Sequence, residues 1–295
     1  MLEQQNQVWT IRDLMKFTID HLQGRGFDEA RLTVELLLSH ALQCQRIELY
    51  THFDKPLSDE ERKAFRGLYE RRLAHEPVQY IVGTTSFMGL QFAVDKRVFI
   101  PRPETETLVE QLMMKCNQRE AEEETRILDV GTGSGNIAVS LAKLIKRSRI
   151  TSVDRSLEAL EVARTNARAH GVAESIAFEN ADFFAPLESR FPHQFDFLVG
   201  NPPYVSIQEW QTLDPEVRQF EHKHAVSDQN DGYEFYRRIG EVAAQLVRKS
   251  GWVLVEVGHG QAERVSDLFR TAAFEEISVV NDLQDIPRVV MGRCS

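Results

Sequence analysis

The sequence predicts an α/β protein. A sheet of seven strands, parallel except for an antiparallel last strand, is expected over residues 104–295. A small helical domain over 1–80 and a β-hairpin with a proline-rich linker over 81–103 precede it. Three observations carry this. From Thr10 to about His75 apolar residues recur at helical spacing. From Ile81 to Ile100 the period changes to two. From Glu104 onward short apolar runs alternate with helical stretches, the pattern of a parallel α/β sheet.

In the first segment, Thr10 can cap a helix that carries Ile11, Leu14, Met15, Thr18 and Ile19 on one face, and Gly24 and Gly26 end it. Asp28 precedes an apolar helix containing Leu36, Leu37, Leu38 and Leu42. Ser58 followed by Glu61 is a capping-box spacing and opens a helix with Phe65, Leu68, Tyr69 and Leu73. His21, His40, His52 and His75 have no metal-ligand spacing, so this domain is read as a recognition module for a macromolecular partner. Phe87, Gly89 and Leu90 to Val94 then form the hairpin. Ile100-Pro101-Arg102-Pro103-Glu104-Thr105-Glu106 is a stiff connector whose Pro103 can start a helix. It is either a plain linker or a wall of a cleft.

The sheet strands follow in turn. Arg126 to Val130 is a buried strand that runs into Gly131-Thr132-Gly133-Ser134-Gly135. Asn136 stands where a dinucleotide fingerprint would have its third glycine, and no P-loop lysine is present. Such a turn suits a nucleoside without a pyrophosphate. Ile150 to Asp154 ends in an acid at the distance where a ribose would be held; Asp154 could equally cap the next helix, a role also open to Ser156. Ile176 to Asn180 leads to Asp182 and Phe183, which are either a loop acid and a core aromatic or an acceptor and a face for a purine. A stretch to about Asp231 is too long for a bare connection and is read as a flap with some helix. Glu234 to Val247 and Gln261 to Ala272 are helices, and Trp252 to Val257 and Ile277 to Val280 are strands. Arg288 to Met291 follows after so short a connection that it must be an antiparallel hairpin partner.

The strand Phe195 to Gly200 ends at Asn201-Pro202-Pro203-Tyr204. The two prolines give no N–H to a ladder and fix their φ, so the chain leaves the sheet there in one direction. The tetrapeptide offers the Asn201 amide oxygen, a Pro202 carbonyl and the flat face and hydroxyl of Tyr204. Two acceptors side by side suit a planar –NH2 group. Its delocalised lone pair is a poor nucleophile until both hydrogens are accepted and the nitrogen is made pyramidal. That is catalysis by placement and fixed dipoles, with no strong base.

Composition narrows the classes. A formal net charge of −10 over 295 residues argues against a large nucleic-acid-binding face. The three cysteines, Cys44, Cys116 and Cys294, are scattered, as in a reducing cytosol. No apolar run reaches membrane-spanning length and no signal-peptide layout is present, so a cytoplasmic location without membrane contact is expected.

Glycine turn, Asp154, Asp182-Phe183 and Asn-Pro-Pro-Tyr, in that order along a seven-strand sheet, resemble the class I S-adenosylmethionine-dependent methyltransferases. With the helical front domain and the Ile100 to Glu106 connector, the chain resembles the HemK/PrmC family over nearly its whole length. That resemblance implies a Rossmann-like methyltransferase sheet and an enzyme that methylates N5 of the glutamine in the Gly-Gly-Gln motif of class 1 peptide chain release factors. S-adenosylmethionine would be the cofactor and S-adenosylhomocysteine the product, with no metal and no nucleic-acid substrate. It assigns Gly131, Thr132, Gly133, Ser134, Gly135, Asp154, Asp182 and Phe183 to the cofactor. Asn201 would touch cofactor and substrate, Pro202, Pro203 and Tyr204 would frame the glutamine, and Asn201, Pro202 and Tyr204 would be catalytic. A ribosomal-protein glutamine, or an amino group of adenine or cytosine, are the alternative substrates. Two departures stand out: His222 replaces the proline of the family's Phe-Glu-Pro, and Ser227-Asp228-Gln229-Asn230 replaces a glycine-rich turn before Asp231-Gly232.

Overall fold

A computed structural model describes residues 8–118 and 123–295. The first seven residues of the expected helical domain, and with them the start of any leader, lie outside the described residues. The chain divides into two compact units, 1–83 with 215–220, and 84–214 with 221–295.

The first unit is helical. Thr10 and Asp13 form a reciprocal capping box on Ile11–Gln23, and Ser58 and Glu61 do the same on Asp59–Leu73. Ala30–Leu42 is entered through Glu29 in the left-handed region, φ 48°, with no side-chain cap, so Asp28 precedes it without capping it. Leu14, Leu22, Val34, Leu37, Leu38, Leu49 and Phe65 form one buried core. Each large side chain taken out of water there contributes about 1.5–3 kcal/mol before entropy is counted. Two short helices, Arg46–Thr51 and Val78–Val82, have too few turns to show a period. The second covers Ile81, where strand spacing was expected to begin. Helix Pro215–Phe220 belongs to this unit, its Glu216 paired with the buried Arg72.

The second unit opens with the hairpin β1 (Thr84–Phe87) and β2 (Leu90–Ala93), turned by Met88 and Gly89, both at positive φ. Phe87 and Phe92 anchor it in the core under the sheet. Helices then alternate with β3 (Thr125–Val130), β4 (Ser148–Asp154), β5 (Ile176–Asn180), β6 (Phe195–Gly200), β7 (Val247–Glu256), β8 (Glu275–Asn281) and β9 (Pro287–Arg293). Their order in the sheet is β5-β4-β3-β6-β7-β9-β8, with β3 to β7 parallel. β9 is antiparallel to both neighbours and fills the gap between β7 and β8. The antiparallel hairpin is as expected; its interior position is new. β7 also starts earlier than Trp252, because a register shift pairs Phe195 with Val247 and Phe197 with Trp252.

Alternate residues feed two cores. Leu128, Val130, Leu198 and Val253 pack on one face with Tyr236 and Ile239. Ile127, Phe197, Val199 and Leu254 pack on the other with Ile137 and Leu141. A sheet covered on both faces accounts for the near-continuous apolar runs. The chain goes from β3 outward to β5 and returns to β6 on the other side of β3. The order therefore reverses between β3 and β6, and a crevice opens beyond their carboxyl ends.

Candidate active site

A cavity of about 440 Å³ fills that crevice. Its floor is the turn after β3. Gly131, Gly133 and Gly135 all have positive φ. At Gly135 a Cβ would also come 3.0 Å from the Cβ of Ala163, so glycine lets the turn lie against helix Leu157–Ala169. The Asp154 carboxylate holds the turn, accepting from the Gly133 N–H at 3.0 Å and the Ser156 N–H at 2.8 Å. Ser156 is the helix cap, with its hydroxyl accepting from the Ala159 N–H. This settles the capping question left open by the sequence and leaves Asp154 lining the cavity.

Beneath the turn, Ser152 donates to Asp129 at 2.6 Å and shares a 2.7 Å hydrogen bond with Thr132. Burial pushes the Asp129 carboxyl up to about 7, against the Ser152 hydrogen bond. Asn166 takes the Ala93 N–H and donates to the carbonyls of Ala93 and Ser134, tying the hairpin to the turn. Asp182 and Phe183 reach the cavity from the end of β5. Asp182 accepts from the Phe184 N–H, and the Phe183 ring lies parallel to Phe235 with 6.4 Å between centroids.

Asn201 and Pro203 enter the cavity from the end of β6. The Asn201 Nδ2 donates to the Thr105 hydroxyl at 3.1 Å, while its amide oxygen takes no hydrogen bond among the described residues. The amide is thus oriented, and its acceptor end is available. Pro202 and Tyr204 do not line the cavity: Pro202 is buried, and the Tyr204 hydroxyl is aimed at Glu256 Oε1, 3.4 Å away. Burial, and then the nearby Glu256, push that phenol well above its usual range. The Tyr204 carbonyl accepts from Gln261 Nε2 at 2.9 Å, and Gln261 Oε1 takes the Gly258 N–H, so the end of the tetrapeptide is clamped.

The flap contains helices Ile207–Trp210 and Lys223–Val226, joined to the tetrapeptide by a bridge between Val205 and Ser227. Glu221 is buried and accepts from the Ile100 N–H and the Arg102 guanidinium. The Pro-Arg-Pro connector is therefore also a wall: Phe99, Pro101 and Thr105 line the cavity. His222 starts the Lys223–Val226 helix, and it lines the cavity together with His224. Burial and the neighbouring Arg155 lower the His224 pKa. Sequence spacing gave no role to Phe235, Asn166, Gln261 or the histidine pair. The departure at His222 was the only signal among them.

The PrmC N-terminal domain family matches residues 13–83, and the methyltransferase small domain family matches 103–218. The chain is 42% identical to the release factor glutamine methyltransferase of Geobacter sulfurreducens, over 97% of this chain and 98% of that one. It is 42% identical to the protein of the same name from Chlorobaculum tepidum, over 96% and 97%. Among solved structures, a methyltransferase from Pyrococcus furiosus is similar in fold, with a TM-score of 0.50 at 14% identity over 79% of this chain and 98% of that one.

Proposed function

The chain belongs to the release factor glutamine methyltransferase family, and on that premise we propose that it methylates N5 of the glutamine in the Gly-Gly-Gln motif of class 1 peptide chain release factors, in the cytoplasm. The observation that carries this reading is Asn201: its nitrogen is held by Thr105, its oxygen is unspent, and it shares a cavity with the glycine turn and Asp154. S-adenosylmethionine, when bound, supplies a sulfonium methyl to an incoming nitrogen. The residues present fit it. The turn leaves room for a nucleoside without a phosphate clamp, Asp154 keeps acceptor capacity for ribose hydroxyls, and Asp182 and Phe183 offer an acceptor and a ring wall to adenine.

In this reading the chain works by placement. The Asn201 oxygen accepts from the substrate amide, and the Pro202 carbonyl, although its residue does not line the cavity, is proposed as the second acceptor; together they turn the lone pair toward the cofactor side. Pro203 walls the slot. Tyr204 frames it from behind, its carbonyl clamped by Gln261 and its hydroxyl turned to Glu256. No group has to remove a proton before transfer, because the proton is lost from an already alkylated nitrogen. The helical unit recognises the release factor.

The test is incubation with S-adenosylmethionine and a release factor, a large-subunit ribosomal protein or duplex DNA, followed by mass spectrometry. One methyl on the Gly-Gly-Gln glutamine is expected. An unmodified release factor beside a methylated ribosomal protein or DNA would overturn the reading. Asp154→Ala should weaken S-adenosylmethionine binding about 10–100-fold, the worth of one or two hydrogen bonds to a charged group, as read by calorimetry. An unchanged Kd would remove Asp154 from the cofactor site.

A further inference from the structure

Helix Glu234–Leu246 opens with two aromatic residues that go separate ways. Tyr236 is fully buried in the core, while Phe235, one position earlier, is half-buried and lines the cavity. Phe183 lines the same cavity from the end of β5. The planes of these two rings differ by 4°, with 6.4 Å between centroids. Phe184 stands across both, at 71° to Phe235 with centroids 4.8 Å apart and at 72° to Phe183. Edge-to-face contact is a favoured way for one ring to hold another, so Phe184 braces a parallel pair.

The pair is also tied from outside. Arg238, one turn along from Phe235, donates to the carbonyls of Phe183 and Ala185 at 3.3 and 3.0 Å and pairs with Glu188 at 3.0 Å. It joins the helix that carries Phe235 to the loop that carries Phe183. The helix start is fixed too: the Glu234 N–H donates to Asp228 Oδ2 at 3.2 Å, and the Tyr233 N–H to Asp231 Oδ1 at 3.1 Å. Asp228 belongs to the Ser227 to Asn230 stretch that departs from the family's glycine-rich turn. In this chain that stretch holds the entry to the helix.

We propose that Phe235 is a cofactor-binding residue: with Phe183 it offers the purine of S-adenosylmethionine two parallel ring faces, kept aligned by Arg238. A planar base that lies flat on one of the rings is by geometry parallel to the other. Stacking of this kind draws on ring faces and apolar area and does not read the base. Asp182 can do the reading, since its carboxylate accepts from the Phe184 N–H and has further lone pairs for an exocyclic amine. This rests on the cofactor reading given under the proposed function.

The test is calorimetric binding of S-adenosylhomocysteine to the full chain, beside the change in adenine absorbance on binding. Phe235→Ala should raise the Kd about 5–150-fold, the cost of taking an aromatic face from a stacked base. Phe235→Tyr should bind within about threefold of the wild type, and Phe235→Leu, which restores apolar volume without a flat face, should stay at least about fivefold weaker. 5′-Methylthioadenosine keeps the base without the amino-acid tail and should lose the same factor. The fall in adenine absorbance that stacking causes should shrink in Phe235→Leu and persist in Phe235→Tyr, with urea midpoints alike in the two. In turnover the KM for S-adenosylmethionine should rise while kcat holds, the mark of binding lost equally from ground and transition states. A Phe235→Leu variant with the Kd and absorbance change of the wild type would overturn the proposal and leave the cofactor reading standing. Equal weakening in Phe235→Leu and Phe235→Tyr would overturn it as well, because packing and not the ring face would then be at stake. A wild type that binds neither S-adenosylhomocysteine nor 5′-methylthioadenosine would overturn the cofactor reading and this proposal together.

Discussion

Asn201→Ala should lower methyl transfer to the release factor by a factor of at least about 10²–10³, the usual cost of removing one preorganised polar group from a reaction centre. The loss should fall on kcat. Alanine removes a side-chain oxygen, carried by a cavity-lining residue at the end of β6, that accepts nothing from the protein among the described residues. Water can enter its place, but water is not fixed and must reorganise as the nitrogen changes shape. Cofactor binding should largely survive, since the glycine turn is held by Asp154 and the Val153 carbonyl rather than by Asn201. Stability should change little, because among the described residues the side-chain hydrogen bond lost is the one to Thr105, worth about 1 kcal/mol. Single-turnover transfer with saturating S-adenosylmethionine, beside calorimetric binding of S-adenosylhomocysteine, separates these effects. A variant that methylates at near the wild-type rate would end the proposed role of Asn201.

Gly232→Ala should be the most damaging small change to the fold around the site. Gly232 has φ 84°, and a Cβ there would sit 2.5 Å from the Tyr204 carbonyl oxygen and 3.0 Å from Gln261 Nε2. The left-handed conformation costs an alanine about 1–2 kcal/mol, and forcing a methyl into packed backbone adds about 1–3 kcal/mol. The atom in the way is the carbonyl that Gln261 clamps, so relief of the clash moves the Asn-Pro-Pro-Tyr segment. A lowered urea midpoint together with a raised KM for the release factor is expected. An unfolding curve that overlays the wild type would mean that the turn relaxes without touching Tyr204.

Local chemistry was legible in the sequence; long-range pairing was not. Ser58 and Glu61 announce their helix because both halves of the cap lie within one turn of chain. β6 could be bounded to the residue because the pair of prolines after Asn201 cannot continue a ladder. The hairpin at Met88-Gly89 was visible in its period of two. The position of β9 was not, since a hairpin fixes direction but does not say on which side of β8 the next strand lies. Thr105 reads as part of a connector, yet its partner Asn201 is 96 residues away, and no local pattern links them. Pro202 and Tyr204 are expected to frame the glutamine; that one is buried and that the hydroxyl of the other turns to Glu256 depends on residues far away in the chain, which no local pattern announces. Glu256 read as the polar end of an apolar strand. Only the fold, by burying it with one oxygen unmet among the described residues, marks it out.

The interior place of β9 bears on how the chain comes off the ribosome. A nascent chain that has emerged only as far as Asp285 carries β7 and β8 but not the strand that joins them. Each then presents an unpaired ladder, a surface prone to pairing with other chains. Removing Pro287–Arg293 would therefore split the sheet rather than trim its rim.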